Sequence, residues 1–382
     1  MNSFHFLETG STLFVQASLV ILLTSGLIRF VGKESWRCSL WTTAYGAILL
    51  LAGLAVATPH PRWFHPWKSF STESLITLAE VEQRGGNMLL VVWLIGCCGT
   101  SGLILFRHHL INRFLNRCQE LNQHSEAGAE LFHRLMDAKE EPIGYQIKGR
   151  SVRFLVSSEV STPFCWQFHS PYIVLPEYLI GFDPESVKFI VRHELEHLRT
   201  GHPLQLFLQR LVEALLWFHP LVWWASHQSN LHREFACDEA AVQSKSEIVE
   251  YLRTLLTIVE YNSTQKDNLP SVLSFSRGKQ AIARRAERLV ALASKTMPST
   301  KLEISCPAAM MTLMFSTVLF STLWIPLNVL ASPRSNWSPW PIWSAGILHN
   351  LGLPVRDFEV FSQRTELDEM RAHLSQQKGT RK

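Results

Sequence analysis

Charged residues are scarce in this chain: Asp, Glu, Lys and Arg make up 18% of its 382 residues, against 47% hydrophobic residues. The basic residues form no stripe with interleaved aromatic side chains, which is the pattern typical of a nucleic-acid-binding surface. The net charge of +4 is modest. Direct binding of nucleic acid is therefore not expected, and the apolar composition favours a protein that contacts a lipid bilayer.

Charge is absent altogether from one long run. Met88–Phe106 has no charged residue over nineteen positions, which is enough for a helix to cross a bilayer. Similar apolar runs lie at Leu13–Ile28, Leu40–Ala57 and Pro307–Ala331. The first run lacks the basic residues that precede the apolar part of a signal peptide, so we interpret it as a membrane anchor. The sequence thus predicts four transmembrane helices.

The basic residues that flank these runs predict the orientation, because basic loops stay on the cytoplasmic side. They follow the first and third runs and precede the fourth: Arg29, Lys33, Arg37, Arg107, Arg113, Arg117, Lys295 and Lys301. We expect the N-terminus, residues 58–87 and the tail from Ser332 to lie outside a cell inner (plasma) membrane of bacterial type. None of the seven cysteines lies in those outer parts, so structural disulfides are not expected.

The predicted fold class is an α+β membrane protein, mainly α-helical, with a small β-sheet in its cytoplasmic domain. Residues 1–106 are predicted to form a membrane domain with three transmembrane helices. Residues 107–306 are predicted to form a cytoplasmic domain. Residues 307–331 are the expected fourth transmembrane helix, and residues 332–382 are the expected short extracytoplasmic tail.

One short motif predicts the chemistry. His193–His197 has the pattern H-E-x-x-H, which is typical of zinc peptidases. Positions i and i+4 of a helix share a face, so both imidazoles can bind one metal ion. Glu194 lies beside them as a candidate general base. Asp183–Glu185 supplies an N-cap, a proline and an acidic first turn, so a helix is predicted to begin there.

A catalytic zinc site needs a third protein ligand. Glu234 is the candidate, and Asp238, four residues later, is predicted to orient a ligand imidazole from the same helix face. The alternative interpretation of Glu234 is a solvated helical carboxylate. A third histidine of metzincin type is excluded, because its position is occupied by Pro203. His202 is one residue too early and is interpreted as a surface or interfacial histidine.

Other segments of the domain carry weaker patterns. A helix is predicted over Leu110–Ala138. Ser151–Pro176 has β character, because its apolar residues Val152, Phe154 and Val156 alternate. Within it, residues 162–171 fit either an edge strand that holds a substrate backbone or an ordinary core strand.

Two further segments lie near the membrane. Pro203–Ala225 is apolar, but a single crossing would separate Glu234 from the two motif histidines, so it is predicted to pack against the membrane face or to form a shallow hairpin. Ser263–Ser299 becomes a basic helix with Lys279, Arg284, Arg285 and Arg288. We interpret this segment as a linker and a juxtamembrane helix that is attracted to anionic lipid. The alternative is a cleavable or signal-relaying connector.

Taken together, these motifs resemble the BlaR/MecR family of membrane zinc metallopeptidases, the antirepressor sensor-transducers. The matching stretches are Ser170–Pro176, His193–His197, Trp217–Trp223 and Arg233–Asp238. The resemblance implies a gluzincin-like site with zinc on His193, His197 and Glu234, and with Glu194 as the base. It also implies cleavage of a cytoplasmic DNA-binding repressor, or self-cleavage, when a signal arrives from outside.

The chain departs from the family's antibiotic sensors, which carry a large penicillin-binding domain after the last span. Here about fifty residues follow that span, with an amphipathic stretch at Phe358–Leu374. Two S-x-x-K matches, at Ser276 and Ser375, lack S-D-N and K-T-G partners and are interpreted as chance. Direct sensing of β-lactams is therefore not expected.

The sequence leaves two other functions open. The first is a membrane quality-control or processing endopeptidase of the HtpX or CAAX-protease type, which would cut many membrane proteins. The second is a non-catalytic receptor with a structural metal site, against which the intact Glu194 argues. No oligomeric state follows from the sequence.

Overall fold

The computed structural model describes residues 3–121, 146–147, 149–168, 170–264, 279–294, 303–329, 336–338 and 340–353. The helices are α1 (Ser3–Ile28), α2 (Glu34–Ala57), α3 (Thr72–Leu115), α4 (Pro184–Arg199), α5 (His202–Leu215), α6 (Pro220–Ala241), α7 (Lys245–Thr264), α8 (Lys279–Ala293), α9 (Cys306–Ser321) and α10 (Ile342–Asn350). The strands are β1 (Gln119–Glu120), β2 (Gln146–Ile147), β3 (Arg150–Ser151), β4 (Arg153–Ser157), β5 (Phe164–Trp166) and β6 (Tyr172–Pro176). The predicted mainly helical chain with a small sheet is confirmed. The amphipathic stretch predicted at Phe358–Leu374 lies outside the described residues.

In the part of the chain that the structure describes, three helices are long and apolar enough to cross a membrane: α1, α2 and α3. The helix predicted over Leu110–Ala138 is found only as far as Leu115, where α3 ends, and the prediction is wrong for residues 116–121. Gln119 and Glu120 then pair with β4, and Arg153 binds the Glu120 carboxylate. Sheet pairing thus replaces the helix there, and residues 122–138 lie outside the described part of the chain.

The fourth apolar run is helical over only part of its predicted length. Helix α9 has 16 residues, so it is about 24 Å long. The helix ends at Ser321, before Pro326, which disfavours helical backbone at Ile325 and so prevents the helix from continuing through the rest of the run. Side chains of α1 hold the end of the helix and the irregular chain that follows: Gln16 donates to the Phe320 and Leu323 carbonyls, and Thr12 accepts from the Ile325 N–H.

The segment Pro203–Ala225 forms a hairpin, as one of the two predicted arrangements requires. Its turn lies among the membrane helices, where His219 contacts the Phe14 carbonyl and Trp93 donates to the Leu215 carbonyl. These partners lie near the middle of α1 and of the third apolar run, so the hairpin is deeper than predicted. Its helices α5 and α6 share one apolar core with α1, α2 and α9.

The small sheet has the order β1-β4-β6-β5, with β4 and β6 parallel and β5 antiparallel to β6. The predicted strands are confirmed. The predicted alternation is not, because Leu155 is buried while Phe154 and Val156 are only half-buried. Both faces of this central strand are covered, since Phe154 packs towards α4 and Leu155 packs towards α3.

Candidate metal centre

Helix α4 presents the H-E-x-x-H motif. Asp183 caps it as predicted, accepting a hydrogen bond from the Ser186 N–H at 2.8 Å. The helix buries Ile190, Leu195 and Leu198 against the sheet. Because the motif histidines lie on a different face from this apolar stripe, they point towards α6 instead.

The three predicted ligands meet between α4 and α6. His193 Nε2 lies 3.2 Å from His197 Nε2, and Glu234 carboxylate oxygens lie 3.5 Å and 3.6 Å from these nitrogens. Zinc bonds of about 2.0–2.2 Å in a tetrahedron require ligand atoms about 3.3 Å apart. The donor types and their spacing therefore fit a zinc ion, and all three side chains are buried.

His193 turns its other ring nitrogen, Nδ1, towards α6 and α7. Nδ1 lies 3.1 Å from Asp238 Oδ1 and 3.1 Å from the Tyr251 hydroxyl, which itself donates to Asp238. Burial lowers the pKa of His193, but hydrogen bonds to Asp238 and Glu234 outweigh burial and raise it to about 9. Asp238 thus occupies the place predicted for it, while Tyr251 was missed because nothing in its sequence neighbourhood marks it.

His197 turns its Nδ1 towards His202, 2.9 Å away. The interpretation of His202 as a surface or interfacial histidine is wrong, because only 3% of it is exposed. Gly201 explains the difference. Its φ of 71° ends the helical path between α4 and α5 and turns the chain so that His202 lies beside His197. Burial lowers the pKa of His202 to about 3, so its imidazole is neutral and its Nδ1 can accept a hydrogen bond from the His197 N–H.

Glu194 is buried beside the ligands, with 7% of its surface exposed. Its carboxylate lies near the Cys237 thiol, whose pKa is raised well above the ordinary value by burial, then by Glu234, Glu194 and Asp238. Glu234 and Asp238 lie within 3.5 Å of the His193 ring nitrogens, so two carboxylates border the centre, where a divalent cation would be stabilised.

A buried arginine from α8 completes the surroundings. Arg285 donates from Nε to Asp238 Oδ2 at 2.7 Å, and its Nη1 lies 3.2 Å from Glu234 Oε2. The interpretation of this basic helix as a lipid-facing segment is wrong for Arg285 and for Arg288, which binds Glu239. The buried stripe of α8 could have revealed this, since Arg285 lies four residues before the buried Leu289.

The sheet places an open strand beside the metal helix. In the described residues β5 pairs only with β6, so it is an edge strand, and it packs against α4. Of the two interpretations of residues 162–171, the edge position is found for Phe164–Trp166, and the binding of a substrate backbone there stays a prediction. An edge strand exposes backbone N–H and carbonyl groups that can pair with an extended peptide.

Comparisons with known proteins cover the segment that contains this site. The model of the BlaR1 peptidase M56 family matches residues 19–289, which include every residue of the candidate centre. Regulatory protein BlaR1 of Bacillus licheniformis is 25% identical over 216 residues, which is 55% of this chain and 34% of that protein. The chain therefore spans about a third of the length of this relative. The family match covers more than half of the chain, and the chain belongs to the BlaR1 peptidase M56 family.

Proposed function

We propose that the chain is an integral-membrane zinc metalloendopeptidase that relays an external signal by cleaving a cytoplasmic transcription repressor or itself. The observation that carries this proposal is the convergence of His193, His197 and Glu234 at tetrahedral spacing, with Glu194 adjacent in the motif. The name of the relative as a regulatory protein supports signalling as the purpose of the cleavage.

The chain's own residues account for the steps of hydrolysis. A zinc ion at the centre would polarise the scissile carbonyl and acidify a water molecule. Glu194 takes the proton of that water and passes it to the leaving amine. Asp238 and His202 hold the two ligand imidazoles in place through Nδ1, and β5 offers its open edge to the substrate backbone.

The proposed topology has four membrane spans, with the catalytic domain on the cytoplasmic side. Two contacts support α9 and the chain after it as the fourth span. The Ile304 N–H donates to the Phe30 carbonyl at one end of the bundle, and Trp324 stacks on His60 at the other end. The segment between Ile304 and Trp324 therefore runs the length of the bundle beside α1 and α2.

The proposal is tested by mapping new protein N-termini in cells that express the native protein or its Glu194→Gln variant. Glu196→Gln is the matched control, because Glu196 is the other carboxylate of the same motif and is neither the candidate base nor a candidate ligand. One transcription repressor, or the protein itself, should be cut by the native and Glu196→Gln proteins and not by Glu194→Gln. Many cut membrane proteins would favour the quality-control endopeptidase, and identical N-termini for all three would contradict the peptidase assignment.

A further inference from the structure

Helix α8 carries an arginine, Arg285, that contacts the carboxylates of both Asp238 and Glu234. Arg285 binds Asp238 through Nε and Nη2, and its Nη1 lies 3.2 Å from Glu234 Oε2. The guanidinium is buried, with 6% of Arg285 exposed. Because it is planar and has donors on two sides, it fixes the position of one carboxylate relative to the other.

This arrangement places both oxygens of Glu234 beside the metal position. Oε2 lies 3.2 Å from Arg285 Nη1 and 3.5 Å from His193 Nε2, and Oε1 lies 3.6 Å from His197 Nε2. The same guanidinium holds Asp238, whose Oδ1 faces His193 Nδ1. Arg285 thus acts on one ligand directly and on a second through Asp238.

We propose that Arg285 is a positioning residue of the metal centre, which holds Glu234 and Asp238 in the arrangement that binds the ion. This role rests on the proposed zinc site. It ties the metal centre to α8, the helix that precedes α9 in the chain.

A purely structural role makes a different prediction. Arg288, one turn later on α8, binds Glu239 and the buried Glu34 of α2, neither of which is a candidate ligand. If both arginines only fastened α8 to its neighbours, their removal would have similar consequences. Arg288 is therefore the matched control.

The direction of the change in metal affinity separates two effects of Arg285, its positive charge and its positioning of the carboxylates. Removal of a positive charge beside a metal site should by itself raise the affinity for a divalent cation. A fall in affinity after the loss of Arg285 can therefore be assigned to lost positioning of the carboxylates.

The test is a Co²⁺ titration of the full-length protein in detergent, in a Glu194→Gln background that prevents self-cleavage. Arg285→Gln should weaken Co²⁺ binding by about 10- to 100-fold, as loss of a partner that holds a ligand does. Its visible Co²⁺ absorption bands should also change. Arg285→Lys should recover part of the affinity, because Lys keeps the charge and can bind one carboxylate.

Arg288→Gln should keep the native Co²⁺ affinity and absorption bands even if the thermal unfolding midpoint falls. Native affinity and bands in Arg285→Gln would overturn the role of Arg285, as would an equal loss in Arg288→Gln. No binding by the Glu194→Gln protein itself would overturn the metal centre as well, so the two failures are distinguishable.

Discussion

At the residue scale, the two motif histidines are held by different kinds of neighbour. His193 Nδ1 faces the carboxylate of Asp238, whereas His197 Nδ1 faces the neutral imidazole of His202. Burial would raise the pKa of Asp238, but Arg285 and His193 outweigh burial and lower it to about 2, so it is ionised. A carboxylate makes a ligand imidazole more basic. We therefore expect His193 to be the stronger donor to zinc.

The contact with His202 gives a direct prediction. His202→Ala removes the acceptor of the His197 N–H, and zinc affinity should fall by about 10-fold or more. His202→Asp should restore affinity, because a carboxylate is also an acceptor at this place. Competition with a chromophoric chelator measures both variants. An unchanged affinity in His202→Ala would show that the hydrogen bond does not orient the ligand.

The candidate centre was only partly predictable from single residues. His193, His197 and Glu234 could be selected because the chemistry requires their types and helical spacing constrains them. The place of His202 depends on the left-handed backbone of Gly201, which spacing along a helix does not reveal. Tyr251 belongs to α7, and only the tertiary packing brings it to Asp238.

At the element scale, the N-terminus of α4 gives a second prediction. Burial alone would raise the pKa of Asp183, but the hydrogen bonds with Ser186 lower it below the ordinary value. Asp183→Ala should lower the free energy of unfolding by about 1 kcal/mol.

The same cap has a pH dependence. Because the folded-state pKa is the lower one, the cap stabilises fully above the unfolded pKa of about 3.9. Its contribution is lost as the pH falls through the folded value. Denaturant unfolding of native and Asp183→Ala proteins should therefore differ at neutral pH and converge in acid. A difference that does not change with pH would contradict this account of the cap.

The packing of the α5–α6 hairpin against α3 gives a third prediction. A Cβ atom on Gly96 would overlap the indole ring of Trp217, whereas one on Gly99 would meet nothing within 4 Å. Gly96→Ala should therefore displace the hairpin and lower the thermal unfolding midpoint in detergent. Gly99→Ala, in the same helix, should leave it unchanged. Equal midpoints for the two variants would contradict this packing.

Element boundaries were less predictable than element types. The apolar runs identify α1 to α3. The end of α3, however, depends on the pairing of β1 with β4, and the ion-paired residues Glu120 and Arg153 are 33 positions apart in the sequence. The end of α9 was foreseeable in part, since Pro326 disfavours helical backbone at the residue before it. The hydrogen bonds from Gln16 of α1 to this part of the chain are tertiary contacts, which the local sequence does not reveal.

At the scale of the whole molecule, the membrane helices and the candidate centre are joined by a buried network. Glu34 at the start of α2 binds His232 of α6 at 2.7 Å and Arg288 of α8 at 2.9 Å. Helix α6 carries Glu234, and α8 carries Arg285. A displacement of α2 would therefore be transmitted to α6, which carries the candidate ligand Glu234, and to α8, which carries Arg285.

The proposed orientation gives a fourth prediction. Trp63 and Arg253 are exposed and lie at opposite ends of the molecule. A membrane-impermeant maleimide should label Trp63→Cys in intact cells, and should label Arg253→Cys only after lysis. The native protein supplies the background of its own cysteines. The reverse pattern would place the catalytic domain outside.

The zinc content of the purified full-length protein tests the central claim most directly. The native protein and Glu239→Gln, a control on the same helix, should each hold one zinc ion at the centre. Glu194→Gln should also hold it, because Glu194 is the base and not a ligand. Glu234→Gln and His193→Ala should lose it. Native zinc content in Glu234→Gln would contradict the assignment of the metal centre.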